Sequence, residues 1–432
     1  MRFLHVVQLY YPVNTGAGRY FAEVGERLAR EGHHVTVLAT DAYDLEYLWS
    51  TARRRVEVSE EAHRGVRIVR LPVRRAPGPP IVYPILRRLM VEIARLPRTE
   101  PLLRRMATIT PRLPGARGFF AAGGPFDLVH AGNITLDFAI LPALDFARRT
   151  QTPFVCTPFV HLGEPGDSSL SRYYLMRHQV DLLRQSDRVI TMTDLEAGAL
   201  AACGVSPAKM RTIGVGVDPQ EVAGGDGARF RAEHAIAGPL VLYIGALARD
   251  KGALHTVEAM RRLWDAGSDA SLAMIGAPLA HFTEFYERLP AAAKARIRLL
   301  SYAPDEVKRD ALAAADVFAM PSRTDSFGIV YLEAWCYGVP VVGARAGGVP
   351  DVIADGQDGL LAPFGDIAAI AGAIGRLLAD RELARRLGAA GRAKVLGELT
   401  WDRIYTQVRQ VYDELTAIHR PRLSAKPIDP LM

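Results

Sequence analysis

The feature that most constrains this chain is a repeat of short, unbroken apolar runs, each followed by a helix-period stretch. "FLHVVQLY" at 3–10 leads into "GRYFAEVGERLAREG" at 18–32, an amphipathic stretch closed by Gly32. "HVTVLAT" at 34–40 follows, and "FDLVHAG", "PFVCTPF" and "DRVITMT" come later. A strand covered by helices on both faces reads as a continuous apolar run, so these predict buried parallel strands. Alternation with helices predicts an α/β domain on a doubly wound sheet.

Near residue 213 the rhythm restarts. "RTIGVGVDP" ends one series, "GGDGARF" is loop-like, and "PLVLYIGAL" opens the next. "ASLAMIGA", "IRLLSYA", "DVFAMPS" and "VPVVGA" supply further strands. A chain of 432 residues is long enough for two such cores. The expected division is 1–213, 214–398, a last helix at 399–418 returning to the first domain, and a disordered tail at 419–432. Two Rossmann-like domains in tandem place a cleft between the carboxyl ends of two sheets, where open α/β folds bind ligands.

One segment breaks the pattern. Residues 74–119 are rich in Pro and Arg, and 85–95 read as a basic amphipathic helix. The plain expectation is a solvated or mobile insertion; the functional one is contact with an anionic membrane surface. The net charge of +6 suits an anionic ligand or such a surface. Nucleic acid is not called for, since no stripe interleaves basic and aromatic residues. No run approaches the ~18 apolar residues of a membrane span, and the start lacks a signal-peptide cleavage pattern. A cytoplasmic location is expected, with membrane association on that face as the functional variant. Three scattered cysteines read as buried small hydrophobes.

The glycines divide by what they allow. Gly16 and Gly18 precede a helix, but the third small residue of a dinucleotide fingerprint is replaced by Phe21. Close backbone approach of a ligand to a helix N-terminus remains open there. "YIGALARDKG" at 243–252 sets Arg249 and Lys251 between a glycine loop and a helix, a pairing that suits a diphosphate.

"PSRTDSFGIVYLEAW" at 321–335 carries Asp325 and Glu333 on either side of Phe327-Gly328. A helix is expected from about 326–328 to Gly338, with amides of its first turn open to an anion. Asp325 can cap that helix or meet a ligand. Glu333, among Val330, Leu332, Ala334 and Trp335, needs strong partners: vicinal sugar hydroxyls, or a buried arginine.

Together these motifs resemble the family 4 glycosyltransferases of the GT-B fold, retaining enzymes that use nucleoside-diphosphate sugars. The likeness runs in order through "GHHVTV", "DLVHAG", "TPFVCT", "GVD", "KG", "AAADVFAMPS", "DSFGIVYLEAWCYGVPVV" and "GGVPDVI". It implies a hexosyl donor bound by Gly16, Arg249, Lys251, Ser326, Phe327, Gly328, Ile329 and Glu333. Asp325 would meet the transferred sugar, Glu333 the ribose, and Lys251 the leaving diphosphate, with His161 as the site imidazole. The acceptor would be a sugar, lipid or small molecule. No cofactor and no metal are implied, and no Asp-x-Asp stands in the sequence. Three departures mark this chain. Asp325 replaces a glutamate, and Ala246 stands where the family has an arginine, with Arg249 the expected substitute. Phe159 occupies the usual histidine position, two residues before His161. The departures keep a second reading in play, a nucleotide-sugar-binding protein without transferase activity; a nucleotide-sugar hydrolase or epimerase is a third.

Overall fold

A computed structural model describes residues 1–13, 15–50, 53–75, 77–122 and 124–419. Of the expected tail at 419–432, residue 419 ends the last helix and 420–432 lie outside the described residues.

The first sheet holds β1 (Arg2–Val6), β2 (His34–Thr40), β3 (Glu60–His63), β4 (Val66–Leu71), β5 (Leu128–Gly132), β6 (Phe154–Thr157), β7 (Arg188–Thr191) and β8 (Met210–Thr212). Their spatial order is β3-β4-β2-β1-β5-β6-β7-β8. All pairings are parallel except β3 with β4. That hairpin is absent from the sequence reading. β4 alternates, with exposed Arg67 between buried Val66 and Ile68 and with Arg70 buried against Glu61, so it gives no continuous apolar run.

The second sheet holds β9 (Leu240–Ile244), β10 (Ser271–Ile275), β11 (Ile297–Leu300), β12 (Val317–Ala319), β13 (Val341–Ala344) and β14 (Gly359–Ala362), in the order β11-β10-β9-β12-β13-β14. Every pairing is parallel. Each sheet therefore reverses direction of growth beside its first strand, the place where an α/β sheet opens a crevice.

Six helices position the site: α1 (Gly16–Arg30), α2 (Val82–Ile93), α3 (Glu100–Ala107), α4 (Asp305–Ala314), α5 (Ile329–Cys336) and α6 (Trp401–His419). The 74–119 insertion is not a solvated excursion, since α2 and α3 bury Met90, Val91, Leu103 and Ala107 in the first domain's core. Arg87 is buried with them because Asp137 faces it at 3.3 Å.

Helix α6 packs on α1 and β5. The Tyr412 hydroxyl lies between His5 Nε2 at 3.1 Å and His130 Nδ1 at 2.5 Å, and His130 Nε2 reaches Thr157 Oγ1 at 2.7 Å. Burial drives His5 down to about 3 and His130 well below its ordinary value, so both rings are neutral. Among the described residues no helix is long and apolar enough to cross a membrane.

Candidate functional site

A cavity of about 960 Å³ lies between the two sheets. Its walls come from loops at the carboxyl ends of strands: Val7 and Leu9 after β1, Asn133 after β5, and His161 after β6. Gly245 and Ala246 follow β9, and 324–328 follow β12.

Lys251 reaches the cavity through two close approaches. The Tyr243 hydroxyl donates to the carbonyls of Ala246 (2.8 Å) and Lys251 (3.3 Å), pinning the turn. Gly252 has φ +79°, and a Cβ there would stand 2.2 Å from the Pro321 carbonyl oxygen. Only glycine lets this turn touch the 321–325 loop. Lys251 Nζ then sits 3.0 Å from Asp325 Oδ1. Burial is the largest influence and would push Asp325 up, but the Lys251 ammonium, Ser322 and His161 together hold the carboxyl below its ordinary value. Asp325 Oδ2 is buried without a hydrogen-bond partner among the described residues.

Asp325 does not cap the helix that follows. Gly328 is the N-cap of α5, at φ +93° with no side-chain cap bond, and a Cβ there would strike the Tyr331 ring at 2.5 Å. The first turn of α5 holds no acid, and Ser326, Phe327, Gly328 and Ile329 all line the cavity. Its open amides and positive end face the space beside Lys251.

His161 comes from the opposite domain. Its Nδ1 is 2.7 Å from the Tyr174 hydroxyl. Burial, reinforced by Lys251, lowers it to about 4, so it is a neutral imidazole near pH 7. It can exchange hydrogen bonds but adds no charge. Phe159 also lines the cavity, held at φ +54°.

Glu333 is buried, with a cation close to each oxygen, though Oε2 accepts no hydrogen bond among the described residues. Lys308 Nζ of α4 stands 2.6 Å from Oε2, and Arg19 NH1 of α1 donates to Oε1 at 3.1 Å. The expected arginine partner exists, but it crosses the cleft. Gly16 lines the cavity with nothing within 4 Å of a built Cβ, while at Gly18 such an atom would meet the Leu9 carbonyl oxygen at 2.8 Å.

Arg249 is the one expected site residue that the fold sends elsewhere. It is exposed and does not line the cavity; its backbone N–H donates to His281 Nε2 at 2.9 Å. The tight turn that aims Lys251 inward faces Arg249 outward. Ala246 does line the cavity, and the cations beside Lys251 there are Arg19, Lys308 and Arg87. Sequence reasoning missed Arg19 and Lys308. Arg19 had a signal, since it follows Gly18 directly at the start of a helix.

Two further contacts tie the walls together. Arg323 reaches Glu164 of the first domain at 3.2 Å and Asp250, the neighbour of Lys251, at 2.8 Å. The Gly347 N–H donates to the Gly163 carbonyl at 2.8 Å. Among the described residues, no three His, Cys, Asp or Glu side chains group as a metal site would need.

Comparison with known proteins fits this geometry. The family model for group 1 glycosyl transferases matches residues 228–394, and the glycosyl transferase 4-like domain matches 15–216. The chain belongs to this glycosyltransferase family. D-inositol 3-phosphate glycosyltransferase of Acidothermus cellulolyticus is 33% identical to this family member over 255 residues, 56% of each chain. Glycogen synthase of Mycobacterium tuberculosis is 26% identical over 431 residues, 95% of this chain and 94% of the relative. The chain spans about half the length of the curated relatives it matches first: 49%, 56% and 48%. Among solved structures, sucrose-phosphate synthase from Thermosynechococcus elongatus aligns with a TM-score of 0.73 at 22% identity, over 96% of this chain and 99% of that one. Anabaena HepE in complex with UDP and glucose aligns with a TM-score of 0.71 at 18% identity, over 96% and 100%. The architecture is the GT-B fold: two Rossmann-like domains across a cleft.

Proposed function

We propose that this chain is a retaining glycosyltransferase that moves a hexosyl group from a nucleoside-diphosphate sugar to a hydroxyl acceptor, without a metal. The observation that carries the reading is the convergence of Lys251, Asp325 and His161 beside the N-terminus of α5, with Glu333 further along the same helix. Lys251 and the α5 amides face the place where negative charge grows as the glycosidic C–O bond breaks. Fixed charge in that position lowers the barrier, because it acts most strongly in the transition state. Asp325 Oδ2, buried and unpartnered, is suited to a sugar hydroxyl. Glu333 keeps lone pairs for ribose hydroxyls beyond those used by Arg19 and Lys308.

The acids lining the cavity are Asp325 and Glu333, both held by cations. Neither is placed as a nucleophile, and the reading assigns same-face displacement, with the leaving phosphate taking the acceptor proton. The acceptor hydroxyl would belong to a sugar, a lipid-linked sugar or a small molecule. A cytoplasmic enzyme resting on an anionic membrane fits the basic α2–α3 insertion.

The test is a melting series with UDP-, GDP-, ADP- and dTDP-sugars, since a donor that binds the native state raises its melting temperature. One donor should raise it clearly. Transfer from that donor, with the anomeric configuration kept and the rate unchanged by EDTA, completes the expectation. Loss of rate restored only by Mg²⁺ would refute metal independence, and tight donor binding with no transfer to any acceptor would favour the silent binding protein.

A further inference from the structure

The first domain's wall of the cleft has a chemistry of its own. Leu45, Trp49, Tyr83, Tyr173 and Tyr174 line it, and Trp49 and Tyr83 stack with ring centroids 5.0 Å apart. The cation beside them, Arg87, is already spent. It faces Asp137 at 3.3 Å and donates to the Thr135 carbonyl at 3.0 Å. This wall offers aromatic faces and hydrogen bonds but no free charge, so it suits an uncharged group and not a phosphate.

Helix α2 presents two faces. Tyr83 and Arg87, one turn apart, point to the cavity. Residue 85 lies roughly 200° around the helix from 87, on the opposite side. There Ile81, Ile85 and Leu89 recur every fourth residue and stand 62%, 57% and 47% exposed. Leu96 and Leu102 continue the exposed apolar surface toward α3. Arg88, Arg95, Arg98 and Arg105 are exposed around it, with Glu92 paired to Arg95 at 2.6 Å. Isolated surface leucines need no explanation, but a basic-edged apolar stripe does. Its chemistry matches an anionic bilayer, where apolar side chains enter the acyl boundary and arginines meet headgroups.

We propose that the acceptor is an amphiphile. Its uncharged head stacks on Trp49 and Tyr83 in the cleft, while its hydrocarbon tail stays in the anionic bilayer that holds Ile81, Ile85 and Leu89. One helix thus serves both the site and the surface that delivers its substrate. The inference rests on the transferase reading above.

The experiment uses the full chain and three probes. Vesicles of phosphatidylcholine with and without phosphatidylglycerol test the surface at low salt. Wild type should sediment with the anionic vesicles, and the Ile85→Asp/Leu89→Asp double variant, with its melting temperature checked, should stay in solution. Octyl glucoside below its micellar concentration and glucose 6-phosphate test the head site. The alkyl glucoside should bind more tightly, and Tyr83→Ala should weaken it tenfold or more while leaving nucleoside-diphosphate binding unchanged. Equal sedimentation of both proteins, no sedimentation of wild type, or preference for the sugar phosphate would overturn the proposal. Vesicle binding without a melting shift from any nucleotide sugar would instead remove the transferase reading, and the acceptor role with it.

Discussion

Arg19, in the first turn of α1, meets Glu333 of α5 across the cleft at 3.1 Å. Arg19 also lies 3.8 Å from Glu23 and 3.7 Å from Glu221, so one guanidinium links three acids from both domains. On the other side of the cavity Arg323 runs the reverse way, from the second domain to Glu164 of the first. Each end of the cleft is thus closed by an arginine of one domain on a glutamate of the other.

The Arg19–Glu333 pair predicts coupling in donor binding. Arg19→Ala and Glu333→Gln should each raise the donor KM, and the double variant should cost no more than the worse single. A double-mutant cycle should return about 0.5–3 kcal/mol, the range for residues in contact. Additive effects would show that the contact does not serve the donor.

Lys251→Ala should lower kcat/KM by roughly 10²-fold or more, about 3 kcal/mol, because the leaving group loses its fixed positive partner. The Asp325 carboxylate would at the same time lose the cation that keeps it ionised. Glu333→Ala should cost a similar factor, but it also leaves Lys308 and Arg19 without their shared acid. Melting curves must therefore accompany its kinetics. Near-normal turnover with either variant would remove that residue from the site.

The pH dependence follows from His161, which is lowered to about 4 by burial and Lys251. Between about 6.5 and 4 the unfolded chain binds the proton and the folded chain does not, so stability falls as pH drops through that window. His5 and His130 act in the same sense. Glu196, pushed up to about 7 by burial, acts in the opposite one. The comparison that isolates His161 is therefore wild type against His161→Asn. The variant should lose less stability between pH 6.5 and 4 in urea melts, and equal slopes would contradict the buried neutral imidazole.

Much of this architecture was legible because parallel strands announce themselves as apolar runs: "VLYI" at 241–244 and "VVGA" at 341–344 leave little choice. The hairpin β3–β4 was not, since the edge strand β3 reads "EEAH" and β4 is broken by an exposed Arg67 and by Arg70, buried against Glu61. Near the site, Lys251 and Asp325 stood out through glycine spacing that the fold then requires at Gly252 and Gly328. Arg249 misled because two cations in one loop cannot be assigned a direction without the turn between them. Arg19, Arg323 and Glu164 act through pairings 159 to 314 residues apart and across the cleft, and Lys308 meets Glu333 from another helix 25 residues away; no local pattern records such contacts.

The last prediction concerns α6, which leaves the second domain and anchors on the first. Its hold includes one hydroxyl, Tyr412, shared between two buried neutral imidazoles. Tyr412→Phe keeps the ring, which packs on Phe3 with centroids 5.3 Å apart, and removes only the oxygen. His5 Nε2 and His130 Nδ1 then lose a partner in a place water does not reach, at a cost of about 1–3 kcal/mol for each nitrogen left unsatisfied. The urea midpoint should fall with the slope m unchanged, the mark of altered stability without altered compactness. Tyr412 does not line the cavity, so kcat and KM should hold at temperatures below the new transition. An unchanged midpoint would mean that the two imidazoles find other partners, and that α6 is held by its apolar face alone.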